Sequence, residues 1–228
     1  MIVKRLYKKL RESAARRLSP VRSQADDLYN KYRDFTMIPQ EKYADNLLLA
    51  NQFRDVRGCL VECGVWRGGM IAGLSEMLPG RRVYLFDSFE GLPPAKEIDG
   101  IDAVAWQADK NSSTYYDNCR AEIQFAEMAV RKAGADAKII KGWFNETLAK
   151  SDVTSIAVLR IDSDWYESTM ECLVNFFPKV VTGGLIIIDD YYVWDGCSRA
   201  VHDYLSQHSL ISRVRCTAKS VAYISKQD

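Results

Sequence analysis

The most constraining feature of this chain is a short apolar strand that ends in an acid and runs into glycines. Leu60-Val61-Glu62-Cys63-Gly64 leads into Val65-Trp66-Arg67-Gly68-Gly69, and a helical pattern continues to Met77. Glycine at position 64 removes the Cβ that would hold a ligand away from the backbone, and Gly68 allows a tight turn. The pattern predicts a strand, a ligand-binding loop and a helix, although similar turns also occur in folds without a cofactor.

The next strand supplies a second acid. Arg82-Val83-Tyr84-Leu85-Phe86 ends at Asp87, where an acid would hydrogen-bond an adenosine ribose. Asp87 followed by Ser88 is equally typical of a turn cap. A carboxylate at Glu62 would repel a diphosphate and attract the cationic amino group of S-adenosylmethionine. The spacing Glu-x-Gly-x-x-x-Gly also lacks the Gly-x-Gly-x-x-Gly of dehydrogenases.

Further acids follow two more apolar strands. The strand at 155–161 runs into Asp162-Ser163-Asp164, and the strand at 184–188 runs into Asp189-Asp190, with a helix predicted at 168–177 between them. Parallel strands would bring these acids to one edge of the sheet. Because clustered carboxylates repel one another, the pattern favours a bound hard cation such as Mg²⁺, Ca²⁺ or Mn²⁺. Helix capping would explain one of these aspartates but not the whole set.

The rest of the chain completes an α/β pattern. Two helices are predicted over 24–53, separated at Pro39, and the Gly-, Pro-, Asp- and Ser-rich segment 88–116 is typical of a lid over a site. Trp143 follows a short strand at the right place to cover an adenine ring, although aromatics at strand ends are more often core residues. The remaining predicted elements are a helix at 116–134, a strand at 137–141 and a hairpin of 212–218 with 221–225.

Composition excludes several classes of site. The six cysteines form no C-x-x-C pair, so reduced thiols are expected. Only two histidines are present, which argues against a zinc site and against a Cys-His nucleophile pair. The sequence contains neither a long apolar run nor a signal-peptide core, and it therefore predicts a cytoplasmic protein.

Charge is concentrated at the N-terminus. Residues 1–22 carry eight basic residues against one acid, Glu12. This segment is predicted to be a basic amphipathic helix that binds weakly to an anionic membrane surface, or else a helix that packs on its own domain or on a partner subunit. Acidic loops at the predicted site argue against a nucleic-acid substrate. We expect a helical extension over 1–55 and a catalytic domain over 56–228.

Several motifs together resemble the macrocin and mycinamicin sugar O-methyltransferases, from about residue 30 to the end. The motifs occur in the family's order and are Asp34-Phe35-Thr36-Met37, Val61-Glu62-Cys63-Gly64-Val65-Trp66-Arg67-Gly68-Gly69, Phe86-Asp87-Ser88-Phe89-Glu90-Gly91-Leu92-Pro93, Gly142-Trp143-Phe144, Glu146-Thr147-Leu148, Arg160-Ile161-Asp162-Ser163-Asp164, Tyr166-Glu167-Ser168-Thr169 and Asp189-Asp190-Tyr191.

The resemblance implies a Rossmann-like class I methyltransferase fold: a seven-stranded, mostly parallel sheet with a C-terminal antiparallel hairpin and helices on both faces. It also implies S-adenosylmethionine as methyl donor, a Mg²⁺ requirement, a sugar acceptor and a homo-oligomer. Asp164 and Asp162 would be the catalytic residues, with Asp164 as general base. The metal ligands would be Asp162, Asp189 and Asp190. The cofactor would be held by Glu62, Cys63, Gly64, Val65, Trp66, Gly68, Asp87, Ser88, Phe89, Gly142 and Trp143.

Some alternatives stay open at this stage. Trp165 stands where related catechol methyltransferases carry a lysine, which favours a sugar diol without excluding another vicinal diol. The acceptor sugar could belong to a macrolide, a nucleotide sugar or a glycan. A nicotinamide oxidoreductase fits Glu62 and the acid cluster poorly, and a non-catalytic cofactor-binding protein would not need the metal ligands. His202 is expected on a helix surface.

Overall fold

The computed structural model describes residues 20–227, which fold around one seven-stranded sheet with the order β3-β2-β1-β4-β5-β7-β6. The strands are β1 Cys59–Cys63, β2 Val83–Asp87, β3 Ala137–Lys141, β4 Ile156–Ile161, β5 Val180–Ile188, β6 Arg215–Cys216 and β7 Ala222–Ser225. The helices are α1 Pro20–Tyr32, α2 Gln40–Asn51, α3 Gly69–Met77, α4 Ile101–Ala108, α5 Ile123–Ala133, α6 Phe144–Thr147, α7 Tyr166–Phe176 and α8 Asp195–Gln207. Three 3₁₀ turns lie at Arg33–Phe35, Glu97–Asp99 and Phe177–Lys179.

Strands β1 to β5 are parallel, and β7 pairs antiparallel with both β5 and β6. Parallel pairing brings the carboxyl ends of five strands to one edge, where ligands bind in open α/β sheets. The predicted mixed sheet with a terminal antiparallel pair and helices is therefore confirmed.

Two apolar layers cover the sheet. Successive residues of the central strands alternate between them, so that Leu60 and Val158 face one layer while Val61 and Leu159 face the other. Helices α1, α2, α3 and α5 supply the first layer, and α7 and α8 supply the second. Helices α1 and α2 therefore share their core with the sheet. Both faces of β4 are buried, as expected for a central parallel strand.

The segment predicted to be a lid differs most from expectation. It contains a helix, α4, and the helix predicted to start at residue 116 starts at Ile123 instead. The intervening residues Tyr116, Asp117, Asn118 and Cys119 have φ of +48°, +52°, +56° and +59°, which no right-handed helix allows. Hydrogen bonds hold this left-handed turn, because Leu92 N donates to Asn118 O at 3.0 Å and Asn118 Nδ2 donates to Leu92 O at 2.8 Å.

Smaller differences concern strand ends. Strand β5 begins at Val180 rather than at residue 184, because Val180 pairs with Ile156 of β4. Gly183 N and Gly184 O also bond to the backbone of Lys226. Strand β6 is only two residues long, shorter than the predicted hairpin arm.

All six cysteines are free thiols, as predicted. Among residues 20–227, no helix has the length and apolarity needed to cross a membrane. Most of the predicted basic N-terminal helix lies outside the described residues.

Candidate functional site

A cavity of about 770 Å³ opens at the carboxyl ends of the parallel strands. The loops after all five of these strands reach it, through Gly64, Asp87, Trp143, Asp162 and Asp189. Its size lies within the ordinary range for small-molecule sites. The sheet edge that the sequence predicted is therefore also a wall of this cavity.

Gly64 directly follows β1 and lies against the backbone of Asp162, which directly follows β4. Its φ is +81°, and a Cβ at this position would lie 1.7 Å from the carbonyl oxygen of Asp162. On the other side, Gly64 N donates to Phe86 O at 2.8 Å. Glycine is therefore required here by the neighbouring strand end, in addition to any ligand that approaches the loop.

Asp87 organises the two loops beside Gly64. Its Oδ2 accepts hydrogen bonds from Val65 N at 2.7 Å and Trp66 N at 2.9 Å, and its Oδ1 accepts one from Phe89 N at 2.6 Å. Trp66 and Phe89 have φ of +48° and +58°, so the carboxylate holds two strained backbone positions. Burial raises the pKa of Asp87, although the three N–H donors oppose that shift. The turn-capping role considered for Asp87 is thus present in the structure, and its ribose contact stays a prediction.

The predicted cofactor residues separate into two groups. Those that line the cavity are Gly64, Trp66, Asp87, Ser88, Gly142 and Trp143. The others do not line the cavity, and they are Glu62, Cys63, Val65, Gly68 and Phe89. Glu62 is 1% exposed and bonds to a buried arginine, so the structure opens no direct path from its carboxylate to a ligand's amino group.

That arginine is Arg160, which lies on β4 directly beside Glu62 on β1. It is completely buried, and its guanidinium makes three hydrogen bonds of 2.6 Å. Nη1 donates to Glu62 Oε1 and Asp162 Oδ2, and Nη2 donates to Asp189 Oδ1. One buried cation thus links acids from three adjacent strands, the arrangement that makes buried charges tolerable.

Lys42 reaches the same acids from helix α2. Its Nζ donates to Asp189 Oδ2 at 2.8 Å and to Asp189 O at 3.2 Å. Burial alone would raise the pKa of Asp189, but Arg160 and Lys42 hold it below its usual value. The sequence argument that repulsion among these acids calls for a bound metal is therefore incomplete, because two cations of the chain itself already neutralise part of the cluster.

Asp162, Asp189 and Asp190 nevertheless form a compact carboxylate group. Each offers an oxygen, and these oxygens all lie within 4.8 Å of one another. Burial, followed by repulsion from Asp164 and its neighbours, raises the pKa of Asp190 well above its usual value. The three predicted metal ligands are thus brought together with an all-oxygen donor set.

Asp164 lies next to this group in a strained conformation, with φ of +58°. Its backbone N donates to Asp190 Oδ2 at 3.0 Å, and its Oδ1 accepts from Trp194 Nε1 at 2.9 Å. Burial and the charge of Asp162 raise the pKa of Asp164 to about 7, against the Trp194 hydrogen bond. The Trp194 ring packs on Trp165 and Trp106 at centroid distances of 5.3 and 5.8 Å. The contact between Trp194 and Trp165 joins the loop after β5 to the loop after β4.

Sequence reasoning missed Arg160, Lys42 and Trp194. A signal existed for Arg160, since an arginine inside a six-residue strand that is otherwise apolar needs buried acidic partners. Lys42 and Trp194 carried no local signal, because their partners are 147 and 30 residues away.

His202 is exposed on α8, as predicted, and its Nε2 bonds to Tyr191 Oη at 2.8 Å.

Comparison with known proteins agrees with this geometry. The family profile described as macrocin-O-methyltransferase (TylF) matches residues 4–225. One relative, the 8-demethyl-8-(2,3-dimethoxy-alpha-L-rhamnosyl)-tetracenomycin-C 4'-O-methyltransferase of Streptomyces olivaceus, is 34% identical over 163 residues, covering 68% of this chain and 60% of the relative. The demethyldecarbamoylnovobiocin O-methyltransferase of Streptomyces niveus is 34% identical over 166 residues, covering 68% of this chain and 61% of the relative. The chain thus spans less than two thirds of the length of these curated relatives.

Among solved structures, the O-methyltransferase NovP superposes with a TM-score of 0.68 at 29% identity, covering 85% of this chain and 83% of NovP. The similarity therefore extends from the sequence to the arrangement of strands and helices around the cavity. With the profile matching nearly the whole chain, this protein belongs to the macrocin O-methyltransferase family.

Proposed function

We propose that this protein transfers a methyl group from S-adenosylmethionine to a hydroxyl of a sugar. The observation that carries the proposal is the cavity, which brings the predicted cofactor loops and Asp164 into one space in a member of this family. A rhamnosyl 4'-O-methyltransferase among the relatives supports a sugar as acceptor. Another vicinal diol is the alternative acceptor.

S-adenosylmethionine would lie along the loops after β1, β2 and β3. Gly64 and Trp66 would supply backbone at the first loop, Asp87 and Ser88 the second, and Trp143 an apolar ring for the adenine. The fit is supported by the shape of these loops, because Asp87 holds the backbone of Trp66 in a left-handed conformation at the cavity wall.

Asp162, Asp189 and Asp190 would hold a divalent cation. Their compact all-oxygen donor set is the kind preferred by Mg²⁺, Ca²⁺ and Mn²⁺. When bound there, such a cation would lower the pKa of a coordinated sugar hydroxyl and bring it closer to that of a protein base.

Asp164 is the proposed general base. Trp194 occupies its Oδ1, and within residues 20–227 no hydrogen bond occupies Oδ2, which is left for the acceptor hydroxyl. As Asp164 takes the hydroxyl proton, the sugar oxygen forms a bond to the methyl carbon and the carbon–sulfur bond breaks. The products are the methyl ether, neutral S-adenosylhomocysteine and one proton, which Asp164 returns to solvent.

The test uses the full chain with S-adenosylhomocysteine in a calorimeter, followed by assays with S-adenosylmethionine, Mg²⁺ and either methyl α-L-rhamnopyranoside or catechol as acceptor. We expect binding of S-adenosylhomocysteine and formation of a methyl ether. Asp164→Asn should keep the binding and lose turnover, while Asp152→Asn, at an exposed ion pair with Lys138, should behave as wild type.

The outcomes separate the parts of the proposal. Absence of S-adenosylhomocysteine binding overturns the methyltransferase assignment. Methylation of catechol but of no glycoside overturns the sugar acceptor alone. Turnover unchanged by a chelator, or by Asp189→Ala with Asp190→Ala, overturns the metal requirement.

A cytoplasmic location, assembly into a homo-oligomer and weak membrane association through residues 1–22 are further parts of the proposal. The charge of the N-terminal segment supports the last of these. Cosedimentation with anionic vesicles at low salt tests it, and a protein lacking residues 1–19 is the matched control. Equal sedimentation of the two proteins would remove the membrane contact from the proposal.

A further inference from the structure

The three carboxylates of the proposed metal site are not equally available. Asp162 and Asp190 each have one bonded oxygen, through Arg160 and through the backbone N of Asp164. Their other oxygens have no hydrogen bond among residues 20–227. Asp189 differs, because Oδ1 accepts from Arg160 at 2.6 Å and Oδ2 accepts from Lys42 at 2.8 Å. A divalent cation that takes an oxygen of Asp189 must therefore compete with a cation already bound there.

Arg160 is poorly suited to give way. It lies on the central strand β4, its side chain is 1% exposed, and it also pairs with the buried Glu62. Moving it would leave Glu62 as a buried charge without a partner, which is strongly unfavourable.

Lys42 is suited to give way. Its side chain is 22% exposed, it lines the cavity, and among residues 20–227 its ion pair is to Asp189 alone. The lysine side chain is flexible, and its ammonium can be hydrated in the cavity when it leaves the carboxylate. The two cations on Asp189 thus differ in mobility.

We infer that Lys42 is an exchangeable counter-ion of this site: a divalent cation that binds Asp162, Asp189 and Asp190 displaces the Lys42 ammonium from Asp189 Oδ2 into the cavity. The inference rests on the proposed metal site. Without a metal, Lys42 neutralises Asp189 and ties α2 to the sheet edge. With a metal, the ammonium joins the part of the cavity that Met37, Ile38 and Pro39 also line, so metal binding changes the charge presented to the acceptor.

The first test is calorimetric titration of Mg²⁺ into wild type, Lys42→Met and Lys31→Met. Lys31 is the matched control, since its Nζ pairs with Glu76 at 2.7 Å and its side chain is 35% exposed. Because a hydrogen bond to a charged group no longer has to be broken, Lys42→Met should bind Mg²⁺ roughly tenfold to a hundredfold more tightly. Lys31→Met should match wild type. Unchanged or weaker binding by Lys42→Met overturns the inference.

A second measurement uses wild type alone and does not depend on a variant that folds. Acetic anhydride labels free amines, and peptide mass spectrometry reports the rate at each lysine. Saturating Mg²⁺ should increase the labelling rate at Lys42 and leave that at Lys31 unchanged. An unchanged rate at Lys42, with Mg²⁺ bound, shows that the lysine does not move and overturns the exchange.

Failure of this inference is distinct from failure of the proposed function. Equal Mg²⁺ affinity in wild type and Lys42→Met removes only the exchange. If neither protein binds a divalent cation while both bind S-adenosylhomocysteine, the exchange and the metal site are both overturned and the methyltransferase proposal stands. Loss of S-adenosylhomocysteine binding, measured in a separate titration, would overturn the methyltransferase proposal instead.

Discussion

Two regions of the same sheet edge hold buried carboxylates in different ways. At the ends of β1 and β2, Asp87 is satisfied by three backbone N–H groups within 22 residues of it. At the ends of β4 and β5, Asp162 and Asp189 are satisfied by two side-chain cations, Arg160 and Lys42. We call these regions the backbone cradle and the cation-bridged edge.

The two regions differ in whether their charge-compensating groups can be replaced. Backbone donors are present whenever the loops are folded, so the cradle is a fixed frame for a ligand. At the cation-bridged edge, Arg160 is equally fixed, but Lys42 occupies a position that the inferred divalent cation would take, so this edge would change its charge without a change of fold. In the proposed function, the backbone cradle would bind S-adenosylmethionine by its shape, and the cation-bridged edge would bind a divalent cation by its charge.

The largest expected effect comes from removing the central cation. Arg160→Met leaves Glu62 and Asp162 without their cation and Asp189 with Lys42 alone. We expect a loss of about 3–5 kcal/mol in the free energy of unfolding, measured with urea. Arg82→Met, at an exposed pair with Asp136, should cost about 0–1 kcal/mol. A small loss for Arg160→Met would mean that the acids become neutral at little cost and that the edge is not held by charge.

The next effect concerns Gly64, which lies between the two regions. Gly64→Ala and Gly80→Ala place a Cβ on backbones of nearly equal φ, +81° and +78°. Only the first meets an obstacle, Asp162 O at 1.7 Å, while nothing lies within 4 Å of the second. We expect a loss of about 3 kcal/mol or more for Gly64→Ala and about 1 kcal/mol for Gly80→Ala in urea unfolding. Equal losses would show that the strand ends are free to separate.

Removing the carboxylate of the cradle should cost less. Asp87→Ala leaves Val65, Trp66 and Phe89 without their acceptor, and solvent from the cavity can replace part of it. We expect a loss of about 2 kcal/mol in unfolding free energy, and weaker S-adenosylhomocysteine binding. Mg²⁺ affinity should stay the same, because the two regions hold their charges independently. A matching loss of Mg²⁺ affinity would contradict that independence.

The smallest effect is on positioning of the proposed base. Trp194→Phe keeps the ring packing and removes the hydrogen bond to Asp164, so kcat should fall about tenfold with KM and S-adenosylhomocysteine affinity unchanged. Trp106→Phe is the matched control, since its Nε1 donates instead to Thr114 O at 3.2 Å. Equal kcat losses for both variants would assign the effect to packing of the tryptophans.

Much of the fold could be predicted because its signals are local. Apolar runs at 59–62, 82–86 and 155–161 predicted strands, which the structure has at 59–63, 83–87 and 156–161. The acids at their ends predicted the edge where the cavity lies. The helix α4 and the left-handed turn at 116–119 could not be predicted. Their segment resembles a loop in composition, and its conformation depends on contacts such as Asn118 with Leu92.

The sequence by itself determined which residue types stand at the strand ends, and therefore the family, the sheet and the acid cluster. Only the tertiary structure decided what neutralises that cluster. Arg160 meets Glu62 across 98 residues because β1 and β4 are paired in register, and Lys42 meets Asp189 across 147 residues because α2 packs beside the sheet edge. Periodicity along a chain records burial and element ends, whereas the partner of a charged side chain depends on which elements become neighbours when the chain folds.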